Sequence, residues 1–204
     1  MSTLPESPSL DGRRLRSERT RQRIVEAYLS LLGETGHVPT ANQIAERAGC
    51  SVRSIFERFS DLHALRVAVT DSAFAEANAQ AVLRDVDADR NTRLQSQVRT
   101  RAQTCERWLP MWRALNANQG ESQELQARVR QARKMIVRRM EIMYQPELAA
   151  FPEDERQKLL LALEAIMDFE SWARMRQFFG LSAEEAISAW IRTVDRLLPS
   201  TPVS

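Results

Sequence analysis

The chain has 204 residues, 43% hydrophobic and 27% charged, enough apolar surface for a core without disulfide or metal staples and too much for a disordered chain. Six glycines and eight prolines are too few for an all-β chain, which needs turn residues at about every tenth position. The net charge is only +2, but six arginines stand against one glutamate between positions 13 and 23, an excess suited to phosphate. The longest apolar run, 159–163, falls far short of the roughly 20 residues that span a bilayer. Met1-Ser2-Thr3-Leu4-Pro5 has no apolar signal core, and Cys50 and Cys105 form no C-x-x-C pair. A cytoplasmic chain with free thiols is the expectation.

Residues 1–12, with Pro5, Pro8 and Gly12, read as a mobile tail, and 1–16 as a flexible basic arm. From there a period of 3.6 residues predicts helices throughout. The first runs from about Ser17 to Glu34, with Ile24, Ala27, Tyr28, Leu31 and Leu32 on one face. Thr40 is placed to cap a short second helix with Ile44, Ala45 and Ala48 inside, which Gly49 stops. Ser51 caps a third holding Ile55, Phe56 and Phe59. A fourth runs from about Asp61 to Leu83 with Leu65, Val69 and Ala73. The polar stretch 84–91 separates this part from helices near 92–116, 121–145, 153–179 and 182–198. Pro110 falls inside the first of these, and Pro146 and Pro152 bracket a short turn. Ser182 and Glu185 form a capping box for the last.

The second and third helices, joined by Gly49-Cys50-Ser51, make a helix-turn-helix at about 39–58. Small Ala45 and Ala48 let the two approach. The outward face of the third carries Val52, Arg53, Ser54, Glu57 and Arg58, and arginine reads guanine in the major groove. By periodicity alone, an ordinary helical hairpin within a bundle is equally open.

The string Arg23-Ile-Val-Glu-Ala27, then Thr40, Ile44-Ala45, Ala48-Gly49 and Ser51, then Ser54-Ile-Phe, Phe59 and Leu65, resembles the DNA-binding domain of the TetR family of transcriptional regulators. The resemblance covers 17–70. It implies an all-α chain: a three-helix DNA-binding domain over 17–70, then a helical effector-binding and dimerisation domain over 71–204. It implies that Thr40 meets a phosphate and that Val52, Arg53 and Ser54 meet base edges and nearby phosphates. Phe56 stands where the family usually has a backbone-touching Tyr, and Arg58 at a common backbone contact. Leu62 replaces a usual phosphate-binding Lys. The implied partners are operator DNA, a second copy of the chain and a small effector. Regulation by repression is the family's analogy.

All four tryptophans and six of seven methionines lie beyond the separating stretch. Trp108, Met111, Trp112, Met135, Met140 and Trp172 are candidates for a pocket that takes a small apolar or aromatic effector, flexible Met beside rigid Trp. Core packing is the plainer reading of each alone. Glu164 and Asp168, four apart, favour a cationic ligand if they face that pocket. Ile187, Trp190, Ile191 and Val194 form a stripe on the last helix, a candidate dimer seam as the resemblance implies. Enzyme signatures are missing: His37 and His63 have no metal-spaced partner, and no P-loop, G-x-S-x-G or H-E-x-x-H is present. Neither a catalytic role, a metal nor a cofactor is expected. The competing reading is a helical protein-interaction module that has lost specific DNA binding, for which Phe56 and Leu62 argue and against which Arg53, Arg58 and the basic segment argue.

Overall fold

The computed structural model describes residues 9–118, 120 and 122–201. Among them are ten α-helices, one π-helical segment and no strand. They form two compact units, one ending at Ala73 and the other starting at Phe74.

The first unit opens with α1, Ser9–Thr35. It starts well before the expected Ser17, so 9–16 are helix where a flexible arm was expected, and residues 1–8 of that arm lie outside the described residues. The physical reason is composition: from Ser9 to Arg19 there is no proline or β-branched residue, and only Gly12 opposes the helix, at about 1 kcal/mol. The inner stripe Ile24, Ala27, Tyr28, Leu31 and Leu32 is buried as its spacing requires.

Helix α2, Ala41–Ala48, and α3, Val52–Phe56, pack under α1 on Ile44, Ala45, Ala48 and Ile55. Phe59 is buried too, but α3 stops before it. The Arg58 and Phe59 amides both donate to the Ile55 carbonyl, at 3.0 and 2.9 Å, a tightened turn that closes the helix early. Helix α4, Leu62–Gln80, starts where the Ala64 N–H donates to Asp61 Oδ1 at 2.7 Å and stops three positions short of the expected Leu83.

In the second unit α5, Arg90–Asn118, runs through Pro110 and packs on α6, α9 and α10. Then follow α6, Gln123–Met143, α7, Gln145–Leu148, α8, Glu153–Ile166, α9, Phe169–Ala173, the π-helical Arg174–Phe178 and α10, Ala183–Leu197. The single helix expected over 153–179 is thus broken at Met167 and Asp168. Two groups stabilise the break. The Asp168 carboxylate caps α9 by accepting from the Ser171 N–H at 2.6 Å, and buried Arg101 donates from Nε to the freed Met167 carbonyl at 2.8 Å. Glu164 and Asp168 therefore do not share one helix face: Glu164 pairs with Arg133 at 2.6 Å.

Where α5 begins, a buried polar cluster gathers. Arg93 pairs with Glu147 and donates to the carbonyls of Met143 (3.0 Å) and Ala88 (2.6 Å). Thr201 donates to the same carboxylate at 2.5 Å. Arg90 adds bonds to the carbonyls of Asp195 (3.0 Å), Leu198 (3.0 Å) and Pro199 (3.2 Å), which fixes the chain after α10.

Candidate nucleic-acid interface

The turn between α2 and α3 follows from three residues. Gly49 sits at φ 62, in the left-handed region that costs a residue with a Cβ about 1–2 kcal/mol. Its neighbour Cys50 donates back to the Ala45 carbonyl at 3.0 Å. Ser51 then accepts the Ser54 N–H at 3.1 Å and starts α3. At the other end of α2, the Thr40 hydroxyl accepts the Gln43 N–H (3.3 Å) while the Gln43 side chain accepts the Thr40 N–H (2.8 Å), a reciprocal cap that the sequence reading missed. Thr40 is exposed, with its hydroxyl already engaged in this cap.

The six candidate contacts divide by how α3 presents them. Arg53 is the most available: its side chain is 88% exposed, held only by Glu57 one turn on at 3.0 Å. Val52 and Ser54 are half-buried beside it. Phe56 projects from the end of α3 at 46% exposure and Leu62 from the start of α4 at 43%. Arg58 is different. It folds back along its own helix, with Nη1 donating to the Ser54 carbonyl at 2.9 Å, and its backbone carbonyl accepts from Arg21 at 3.0 Å.

Arg21, which the sequence reading counted only as charge, also covers the Phe59 ring at 4.3 Å from the guanidinium carbon. It braces the end of α3 against α1. Arg47 braces α2 similarly, with a two-pronged contact to Glu34 (2.7 and 2.8 Å) and a bond to Ser30 (2.7 Å). Hydrogen bonds from Arg47, then Ser30, hold the Glu34 carboxyl down at about 2. Arg13, Arg14, Arg16, Arg19 and Arg23 stay exposed along α1. Arg16, Arg19 and Arg23, spaced i, i+3 and i+7, lie along one side of that helix.

In the second unit the candidate residues are dispersed. Met140 and Trp172 are fully inside, Met111 and Trp112 nearly so, Trp108 is half-buried and Met135 is at the surface. Met135 and Met140 thus do not form one wall: five residues apart, they point away from each other on α6. Trp112 stacks on Phe169 (centroids 4.7 Å, planes 15° apart). Trp172 packs on Trp190 at 5.1 Å and donates from Nε1 to Glu106 at 2.5 Å.

The expected dimer seam needs correction. Trp190 is 2% exposed and Val194 0%, Ile187 is buried, and only Ile191 is partly open. Helix α10 spends this stripe on its own α5 and on Trp172, so these side chains meet the chain's own core. Period alone cannot separate burial within a chain from burial between chains. The large exposed apolar residues of this unit lie elsewhere, among them Leu161 on α8 and the adjacent Phe178 and Phe179.

Among the described residues no group of three His, Cys, Asp or Glu is placed to hold a metal ion, and no helix is long and apolar enough to cross a membrane. No protein-family model matches the chain, and no curated protein matches it. Solved structures do. A protein assigned to the TetR family of transcriptional regulators, from Rhodococcus sp., superposes with a TM-score of 0.70 at 19% identity, covering 89% of this chain and 100% of that one. A TetR transcription regulator from Haloarcula marismortui gives 0.61 at 15% identity over 89% and 97%. A TetR-family member from Streptomyces coelicolor gives 0.57 at 19% over 88% and 98%. With a capped helix-turn-helix ahead of an all-helical second unit, the chain has the fold of the TetR-family transcriptional regulators.

Proposed function

We propose that this chain is a DNA-binding transcriptional regulator, a dimer that represses by occupying a near-palindromic operator. The observation that carries the reading is Arg53: on a capped helix start, exposed, its one partner a surface carboxylate. An exposed i,i+4 pair is worth only about 0.3–0.5 kcal/mol, so Arg53 can exchange Glu57 for the two acceptors of a guanine at little cost. Val52 and Phe56 offer apolar contact to thymine methyls. Thr40 and Ser54 supply contacts near phosphate, and the arginines of α1 supply the charge that neutralises the backbone. Arg58 serves first as a brace.

Two recognition helices in successive major grooves require half-sites about 10 base pairs apart. The second unit would provide the dimer contact, through outward apolar residues such as Leu161, and would house a small apolar or aromatic effector that shifts the balance between DNA-competent and incompetent states.

Gel-shift titration against the protected promoter fragment, at several salt concentrations, tests this. Arg53→Ala should lose about 1–3 kcal/mol and relax base preference at one position. Exposed Phe56 and Leu62 favour the second reading, a protein-interaction module. Binding that is absent from every fragment, with wild type and Arg53→Ala alike, would establish that reading instead.

A further inference from the structure

Two arginines lie on the same inner face of α5, eight residues apart, and the protein treats them differently. Arg93 is neutralised: it has the Glu147 carboxylate and two backbone carbonyls. Arg101 is as deeply placed, 5% exposed. Its Nε donates to Met167, and its guanidinium lies over the Phe169 ring at 4.7 Å. Beyond these contacts, no carboxylate among the described residues is within ion-pair distance, and neither Nη group has an acceptor. The acids nearby are committed. Glu164 is held by Arg133, Asp168 caps Ser171, and Glu106 takes Trp172 and Arg176. A buried cation without a counter-charge is costly, and a fold carrying one has a place for an anion.

We infer that Arg101 anchors a ligand site in the second unit and that the ligand is an aromatic carboxylic acid, its carboxylate accepting from the two Nη groups and its ring packing beside the stacked Phe169 and Trp112. The two-pronged geometry of guanidinium favours carboxylate over a neutral acceptor. This rests on reading the chain as effector-responsive, and it replaces the cationic ligand that Glu164 and Asp168 suggested from sequence.

The test uses the full chain with benzoate and phenylacetate against their neutral amides, followed by thermal unfolding and tryptophan fluorescence. The acids should raise the unfolding midpoint and quench fluorescence, and the amides should do neither. Arg101→Gln should weaken acid binding roughly tenfold or more. Arg101→Lys, which keeps the charge and a donor for Met167, guards against misfolding and should retain part of the binding. Equal response to acids and amides, undiminished binding in Arg101→Gln, or no response to either acid overturns the inference. A gel shift on the same preparation separates the two readings. DNA binding without acid binding defeats the ligand site alone, and acid binding without DNA binding leaves the site and defeats the regulator.

Discussion

The two units solve folding in different ways. In the first, each helix is fixed by neighbours in sequence: Thr40 with Gln43, Gly49 at positive φ, Ser51 with Ser54, Asp61 with Ala64. In the second, the decisive contacts join distant residues: Arg101 with Met167, Arg93 with Glu147, Trp172 with Trp190. A DNA-reading surface needs a helix start in one defined place, which local caps deliver. A helical core that answers to a ligand draws on longer-range contacts that can be rearranged.

The contrast can be tested in order of expected effect. Val194→Glu puts a charge into the core beneath α10 and should prevent the second unit from folding, read as loss of cooperative thermal unfolding. A folded, stable variant would put this stripe back at a dimer seam. Glu147→Ala leaves Arg93 buried without its partner and should cost about 3–5 kcal/mol in denaturant unfolding, leaving the first unit's helical signal in place. Gly49→Ala has space, since its Cβ would stand 3.9 Å from the Arg23 guanidinium, so only backbone strain of about 1–2 kcal/mol is expected. A larger loss would show that the turn is under tertiary control after all. The smallest effect concerns acid. Glu34 is held at about 2, below its ordinary 4.5, chiefly by hydrogen bonds from Arg47. A depressed carboxyl stabilises the folded state above its unfolded value and loses that contribution as pH falls through the interval. Glu34→Gln should therefore flatten the acid limb of the melting profile between about pH 4.5 and 2 and leave neutral pH nearly unchanged.

What could be read from sequence follows the same division. The helix-turn-helix was legible because Thr40, Gly49 and Ser51 signal within four residues of what they control. The break after α8 was not. Asp168 and Ser171 have capping spacing, but Ile166, Phe169 and Ala173 continue a helical stripe, and the group that stabilises the break, Arg101, lies 66 residues away. The seam on α10 was misassigned because Trp190 and Val194 look alike whether the opposing surface is the same chain or another. The helical extension of α1 was missed because charge was weighed above helix propensity.

That extension has a calorimetric consequence. Helix α1 contains 27 residues and is about 40 Å long at 1.5 Å per residue. Its arginines are already arrayed before any duplex is met. A disordered arm must give up chain entropy when it contacts phosphate, and its folding adds a negative heat-capacity change to the binding reaction. An arm that is helical beforehand has no such transition to make. Association of this chain with DNA should therefore show a binding enthalpy that varies little with temperature, apart from the contribution of surface buried at the recognition helix itself.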